Sequence, residues 1–224
     1  DKNLTIASWY LTTGDTSYIS NTIYNNTINT SKNNDYWFIG FTVDALNASY
    51  HCFSTNSNSI LRLYNMVIKN ALGRGIYTNE TSLFIYNSTF INNGGEGNYQ
   101  GGAIIFQGNE HNFEVYDSQF INNRSSQGGA IFYMESSWRT ALIKRTTFVN
   151  NSINNLGNGE AGAIYIAQGN VFLDNVLFDG NESYKSGGAV YIYSNSNSPP
   201  NVTFNHVTFV NNSAGVNGDD YGGS

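Results

Sequence analysis

The segment Phe178-Asp179-Gly180-Asn181, followed by Gly187-Gly188-Ala189-Val190, contains two short signatures that recur through the chain. They return in the same order and at similar intervals. The first signature begins at Phe90, Phe120, Phe148, Phe178 and Phe209, and the second begins at Gly101, Gly128, Ala161, Gly187 and Gly222. A repeated unit of this size hides its apolar face by stacking on its neighbours, so the sequence predicts a solenoid.

A period-two pattern precedes each repeated phenylalanine. Apolar residues lie seven and five positions before it, as Leu83 and Ile85 do before Phe90, and this alternation is typical of a β-strand. The position three residues before the phenylalanine is polar and mostly occupied by turn-forming residues, namely Asn87, Asp117, Arg145, Asn175 and His206. Each unit is therefore predicted to contain strands separated by tight polar corners.

The same template extends to weaker copies near the N-terminus. Along the whole chain the template gives eight repeats, which we call rungs. The position equivalent to the repeated phenylalanine lies at residues 23, 43, 68, 90, 120, 148, 178 and 209. Units this short leave no room for a crossover helix, and no segment has a helical apolar stripe. The sequence predicts an all-β parallel β-helix of about eight coils, in a single domain over residues 1–224 with less regular coils in 1–75 and repeat coils in 76–224.

Equivalent residues of stacked coils contact their own copies. The phenylalanines are therefore expected to form a buried aromatic stack, and the asparagines that follow them to link their amides along the axis. The glycine pairs allow a positive φ at the next corner without a Cβ penalty. A further column is expected to fill the core, formed by Ile76, Ile104, Ile131, Ile164 and Val190.

The residue after each member of that last column should face outward, because side chains alternate along a strand. These residues are unusually apolar: Tyr77, Ile105, Phe132, Tyr165 and Tyr191. We call this row the third-sheet column. Two interpretations remain open at this point: the row is covered by a loop or a neighbouring segment, or it is a flat strip that binds glycan rings or a lateral partner.

Composition limits the function classes. Charged residues make up 12% of the chain, and the formal net charge is −6, which argues against nucleic acid and anionic membrane as partners. Cys52 is the only cysteine, so no internal disulfide forms, and we expect it to be a buried small apolar residue. The chain does not begin with methionine, and we expect a processed chain or a fragment of a longer one.

Asparagine is abundant, with 36 copies, and 11 of them head an Asn-x-Ser/Thr sequence. This modest excess over chance is compatible with a glycosylated surface protein. The candidate N-glycosylation sites are Asn3, Asn25, Asn29, Asn47, Asn79, Asn87, Asn123, Asn150, Asn181, Asn201 and Asn211.

No catalytic residue, cofactor site or metal site is predicted. Five carboxylates fall in equivalent loops, at Glu96, Glu160, Glu182, Asp219 and Asp220, and form either a solvated acidic rim or a weak calcium site. The histidines His51, His111 and His206 occupy unrelated positions of the repeat, which is poor spacing for a metal site.

The alternating Phe-x-x-Asn and Gly-Gly-Ala-Ile/Val signatures resemble the polymorphic outer membrane protein repeats of chlamydial autotransporter adhesins and of similar surface proteins of other microbes. The resemblance covers residues 76–224, and Ala161-Gly162-Ala163 and Gly222-Gly223-Ser224 depart from the pattern. It implies a right-handed β-helix displayed at a cell surface, where it adheres to hosts, neighbouring cells or matrix. It carries over no catalytic residue.

The leading hypothesis is a non-enzymatic extracellular protein that acts as an adhesin or as the building block of a surface layer or filament. The expected partners are a host or neighbouring cell surface, a glycan, or like subunits stacked end to end as a homo-oligomer. The alternative is a polysaccharide lyase or glycoside hydrolase of the β-helix type. An enzyme would bring two or three acidic side chains within about 5 to 9 Å of one another in a groove.

Overall fold

The computed structural model describes residues 3–48, 50–136, 138–154, 159–194 and 198–215. Within these ranges the chain is a parallel β-helix, because each turn adds one strand to each of three long sheets. The first and second sheets contain eight strands and the third contains seven, which corresponds to about seven turns. The predicted fold class is confirmed.

The three long sheets and a short corner ladder are built from the following strands. The first sheet contains Leu4–Ala7, Asp35–Ile39, Ser59–Tyr64, Thr81–Tyr86, Phe113–Tyr116, Thr140–Lys144, Asn170–Asp174 and Asn201–Asn205. The second contains Ile23–Tyr24, Thr42–Asp44, Val67–Lys69, Thr89–Ile91, Gln119–Ile121, Thr147–Val149, Leu177–Asp179 and Thr208–Val210. The third contains Ile28–Asn29, His51–Ser54, Arg74–Tyr77, Ile104–Gly108, Ile131–Glu135, Ile164–Gln168 and Val190–Ile192. A two-stranded ladder, Arg124–Ser125 with Ser152–Ile153, lies at the corner after the second sheet.

The first sheet has the predicted period of two. Leu83 pairs with Phe113 and Ile85 with Val115, and all four side chains are buried. The chain then turns into the second sheet through the polar corner, where the leading residue adopts a left-handed conformation. The φ angles there are 47° at Asn87, 51° at Asp117, 49° at Arg145, 54° at Asn175 and 49° at His206. Even the non-asparagine residues at this corner take the conformation that the turn requires.

The phenylalanines of the second sheet form the predicted aromatic stack. Phe90 pairs with Phe120, Phe120 with Phe148, and the register continues to Phe178 and Phe209. Neighbouring ring centroids lie 4.8 to 5.0 Å apart, and the planes of each pair differ by at most 14°. Stacked rings of this kind add about 0.5–1.5 kcal/mol per pair beyond the apolar area they bury.

The second asparagine of each signature forms a continuous amide ladder, and the linked amides predicted for this column are present. Its members are Asn93, Asn123, Asn151, Asn181 and Asn212, and the first four are fully buried. Each Nδ2 group donates to the Oδ1 atom of the next coil over 2.8 to 3.1 Å. The other proton of Asn151 goes back to the carbonyl oxygen of Phe120, 2.9 Å away, so the buried amide leaves no donor unpaired.

The glycine pairs serve two purposes at the next corner. The first position has a φ of about +65° at Gly101, Gly128 and Gly187, and Ala161 adopts the same angle. At the second position the backbones of adjacent coils touch: a Cβ atom on Gly129 would lie 2.1 Å from the carbonyl oxygen of the next coil. Only glycine fits this second position, and the reason is this close contact and not the positive φ expected from the sequence.

The N-terminal coils depart from the expectation in two respects. The first rung is centred one residue later than predicted, because Tyr24 and not Ile23 pairs with Val43. Two short helices, α1 (Tyr10–Thr13) and α2 (Ser17–Asn21), lie where no helix was predicted. Each spans about one turn, which is too short to produce an apolar stripe in the sequence. No helix in the described part of the chain is long and apolar enough to cross a membrane.

Candidate binding surfaces

The third-sheet column faces away from the main core and packs in a separate apolar cluster. Its strands pair in the expected register, with Ile105 next to Phe132 and Phe132 next to Tyr165. These three side chains are nevertheless only 3%, 4% and 5% exposed, while Tyr77 and Tyr191 at the ends are partly buried. The middle of the column is therefore covered, as the first of the two interpretations expects, and binding of a glycan or partner by its accessible ends, Tyr77 and Tyr191, stays a prediction.

The glycine corners cover this column. Ala161 belongs to the same apolar cluster, and a Cβ atom built on Gly128 would lie 3.1 Å from Cβ of Tyr165. A polar ladder runs beside the corners, in which Gln100 donates to Gln127 over 2.8 Å and Gln127 donates to Glu160 over 3.0 Å. Burial, together with the nearby charge of Glu160, raises the pKa of Tyr165. Its hydroxyl therefore stays neutral over the physiological pH range.

The outer face of the first sheet carries a second column of large side chains, which the sequence reasoning missed. Trp37, Tyr64, Tyr86 and Tyr116 stack along the axis with centroids 4.9 to 5.4 Å apart and planes within 9° of parallel. All four are partly exposed. We call them the first-sheet column. The signal was present in the sequence, because these residues occupy the outward positions of the same alternation that identified Leu83 and Ile85.

Charged side chains of both signs surround the first-sheet column. Arg62 lies 5.0 Å from the ring of Trp37 and forms an ion pair with Asp35 at 3.1 Å. Tyr86 donates a hydrogen bond to Glu114 over 3.2 Å, and its burial together with that carboxylate raises its pKa to about 12. Toward the N-terminus the face ends in an open groove of about 380 Å³, lined by Tyr10, Leu11, Gly14, Trp37, Ile39, Tyr64 and Asn65.

The acidic loop residues have separate surroundings. Glu96 pairs with Arg124, Glu160 accepts from Gln127, and Glu182 is exposed. Asp219 and Asp220 lie outside the described residues, as does the last glycine signature at 222–224. In the ranges that the structure describes, no group of three His, Cys, Asp or Glu side chains could hold a metal ion.

The histidines and the cysteine take up unrelated positions. Cys52 is fully buried, as predicted, and burial raises the pKa of its thiol to about 12. Burial and the charge of Arg74 lower the pKa of His51 to about 4. His206 is exposed and lies 3.7 Å from Asp174, and His111 donates its backbone N–H to Glu135. These side chains do not assemble into one site.

The Asn-x-Ser/Thr positions divide into two groups. Asn123 and Asn181 belong to the buried amide ladder and have both Nδ2 protons engaged, so the folded chain offers no free amide there. The other nine are exposed: Asn3, Asn25, Asn29, Asn47, Asn79, Asn87, Asn150, Asn201 and Asn211. Whether these nine carry glycans stays a prediction.

The geometry defines a class of protein: a parallel β-helix whose coils are held together by phenylalanine and asparagine columns and by close glycine corners. Comparison with known families agrees with it. Residues 117–133 and 175–193 match the family model of the Chlamydia polymorphic membrane protein (Chlamydia_PMP) repeat. Both segments run from a polar corner into or through a glycine signature, and these two segments are therefore similar to polymorphic membrane protein repeats.

One curated relative extends this similarity over most of the chain. The probable autotransporter YfaL of Escherichia coli (strain K12) is 32% identical over 184 residues. The alignment covers 72% of this chain and 14% of that protein, so the chain corresponds to a small part of its relative. No solved structure was found to match.

Proposed function

We propose that the chain is part of a non-enzymatic β-helix displayed at a cell surface, where it acts as an adhesin through the outer face of the first sheet. A surface location is supported by the similarity to a probable autotransporter and to the polymorphic membrane protein repeat. The observation that carries the adhesive role is the partly exposed first-sheet column of Trp37, Tyr64, Tyr86 and Tyr116. Clusters of exposed aromatic side chains are typical of recognition surfaces.

The partner that this face fits is a like rod on a neighbouring cell. The rings stack on one another, so they present their edges and hydroxyl groups to solvent and offer no free faces to a flat sugar ring. Any second β-helix has the same axial repeat of about 4.8 Å, so rows of side chains on two rods stay in register. The face also carries both charge signs, with Arg62, Glu114, Lys144 and Asp174 at outward positions of its strands, and can complement a copy of itself.

Bead aggregation tests this proposal. Beads coated with the parent chain are expected to aggregate. Beads coated with the double variant Tyr86→Ser/Tyr116→Ser are expected to stay dispersed. The matched control is Trp9→Ser/Trp138→Ser, which removes two aromatic side chains that are 71% and 76% exposed elsewhere on the rod. If the beads bind host cells or glycan-coated surfaces without aggregating, the partner is wrong but the adhesive role stands. If they bind neither, the adhesive role is wrong.

A structural role is supported by a different surface. At the C-terminal end of the described rod, Phe204 and Phe209 are 42% and 46% exposed and line a cavity of about 170 Å³. This surface fits another coil of the repeat, either from the same chain or from a like subunit. Sedimentation velocity over a concentration series tests the second case: association that Phe209→Asp abolishes would support a filament building block, and association that this variant leaves unchanged would contradict it.

We favour a non-enzymatic role over a polysaccharide lyase or glycoside hydrolase. Glu96 and Glu160 are engaged with different partners, and such enzymes need carboxylates grouped around the scissile bond. Release of reducing ends or unsaturated products from a panel of acidic and neutral polysaccharides would overturn this assignment.

A further inference from the structure

A half-buried arginine lies at the N-terminal end of the third-sheet column, away from the first-sheet face. Arg74 begins the third strand of the third sheet and pairs with His51 of the strand before it. Its Nε atom donates to the carbonyl oxygen of Gln100 over 2.7 Å. This hydrogen bond fixes the plane of the guanidinium group.

Two tyrosine rings hold the guanidinium of Arg74. Its Cζ atom lies 5.6 Å from the centroid of Tyr77 and 5.2 Å from that of Tyr99. The surrounding rings continue the cluster, because His51 stacks on Tyr77 at 5.4 Å and Tyr50 packs edge-on against Tyr99 at 5.3 Å. The charge therefore sits in an aromatic setting at the surface of the rod.

This arginine lacks an acidic partner among the described residues. Three other arginines form ion pairs: Arg62 with Asp35, Arg124 with Glu96 and Arg145 with Asp117. In the part of the chain that the structure describes, no residue accepts a hydrogen bond from the terminal Nη groups of Arg74. A guanidinium that has lost water and has no counter-ion favours an anion with two oxygen acceptors.

No carboxylate in the described ranges lies within ion-pair distance of this guanidinium, so those residues add no negative charge there that would oppose an anion. Its titratable neighbours include His51, Tyr50, Tyr77 and Tyr99. His51 is uncharged at neutral pH, because burial and the charge of Arg74 lower its pKa to about 4, and its buried Nδ1 atom has no hydrogen-bond partner. Burial likewise lowers the pKa of Arg74 itself, although an arginine stays charged.

We propose that this cluster binds the carboxylate of an acidic sugar, with the two Nη groups of Arg74 donating to the two carboxylate oxygens. The ring of Tyr50, which is 52% exposed, packs edge-on against Tyr99, one of the two rings that hold the guanidinium, and provides an apolar wall for the sugar ring. The site does not depend on the first-sheet face, so it can bind whether or not that face is adhesive.

Isothermal titration calorimetry with a glucuronate oligomer at low salt tests the site on the full chain. We expect Arg74→Gln to weaken binding by about tenfold or more, the usual effect of losing a charged hydrogen-bond pair. Arg62→Gln is the matched control, because Arg62 is also half-buried beside aromatic rings but already has Asp35 as its partner. Equal weakening in both variants, or no binding by the parent chain, would overturn the proposal.

Two further titrations separate the parts of the proposal. The methyl ester of the oligomer, which lacks the charge, should bind at least about tenfold more weakly, and equal binding would overturn the carboxylate assignment. The second titration uses Tyr50→Ala, which leaves the guanidinium in place. It tests the site even if Arg74→Gln does not fold. It should weaken binding of the oligomer but not of acetate, and a short glutamate peptide that binds as tightly as the oligomer would overturn the choice of a sugar.

Discussion

The outer faces of the first and third sheets carry columns of large side chains at alternating positions, but the middle of the third-sheet column is buried whereas the first-sheet column is partly exposed along its length. On the third sheet Phe132 and Tyr165 are almost fully buried, whereas on the first sheet Tyr86 is partly exposed. The third sheet follows the long glycine corners, which pack against it. The first sheet passes to the second through tight corners such as Asn87 and Ser88. Alternation thus decides the side of a sheet on which a residue lies, and the adjoining corner decides whether water reaches it.

A substitution in the interior should lower the free energy of unfolding more than a substitution on either outer face. Asn151→Ala removes four hydrogen bonds of the amide ladder: the backbone N–H and side-chain amide of Asn123 lose their shared acceptor, and the carbonyl oxygen of Phe120 and the Oδ1 atom of Asn181 each lose one donor. Each buried polar group without a partner costs about 1–3 kcal/mol, so we expect urea denaturation to show a loss of about 3 kcal/mol or more. Asn150→Gly is the control, because Gly180 occupies the equivalent position and adopts the same left-handed conformation. Equal losses in the two variants would contradict a buried ladder.

The covered face should show the next largest effect. Tyr165→Ser removes a ring that is 5% exposed and stacks on Phe132 at 5.1 Å. Deleting a buried aromatic side chain costs about 3 kcal/mol, and we expect a loss of that size in the free energy of unfolding. A loss below about 1 kcal/mol would mean that the glycine corners do not cover this column.

The open face should respond much less. Tyr86→Ser removes a partly exposed ring that stacks on Tyr64 at 4.9 Å and Tyr116 at 5.2 Å. Cross-strand side-chain pairs contribute about 0.2–1 kcal/mol, so the expected loss in the same urea experiment is about 1 kcal/mol. A loss as large as that of Tyr165→Ser would show that the two faces are covered alike, and would contradict the difference between them.

A separate test of the two faces is the response of stability to alkaline pH. Burial, with the charge of Glu114, raises the pKa of Tyr86 to about 12, and burial with the charge of Glu160 raises that of Tyr165. A phenol with a raised folded-state pKa contributes stability below its unfolded pKa of about 10 and loses this contribution as the pH rises through the folded value. The free energy of unfolding should therefore fall between about pH 10 and pH 12. The fall should be smaller in Tyr165→Phe, and an equal fall would contradict the assignment.

The interior of the rod was predictable because each inward column repeats one residue type. The phenylalanines, the asparagine pairs and the glycine corners appear as spacings in the sequence, and the structure pairs them in the expected register. The outer faces were less predictable, since exposure of Phe132 or Tyr86 depends on loops whose paths no periodicity encodes. The short helices near Tyr10 and Ser17 were missed because they are about one turn long.

Arg74 illustrates why the candidate sugar site could not be found from the sequence. The segment Gly73-Arg74-Gly75-Ile76 reads as an altered glycine corner, and nothing in it indicates an anion site. The site forms because three coils bring Tyr77 and Tyr99 against the side chain of Arg74, and Tyr50 against Tyr99. Sequence spacing identifies residues that stack in a column, but not residues that meet from different columns.

The amide ladder also bears on how such a protein changes length over evolution. Asn123 bonds only with groups of the two coils next to it, and Asn151 repeats the same set of bonds one coil further on. Duplicating or deleting one complete coil therefore leaves every remaining amide with the partners it had before. A gene that encodes this rod can grow or shrink by whole repeats without any compensating substitution in the interior.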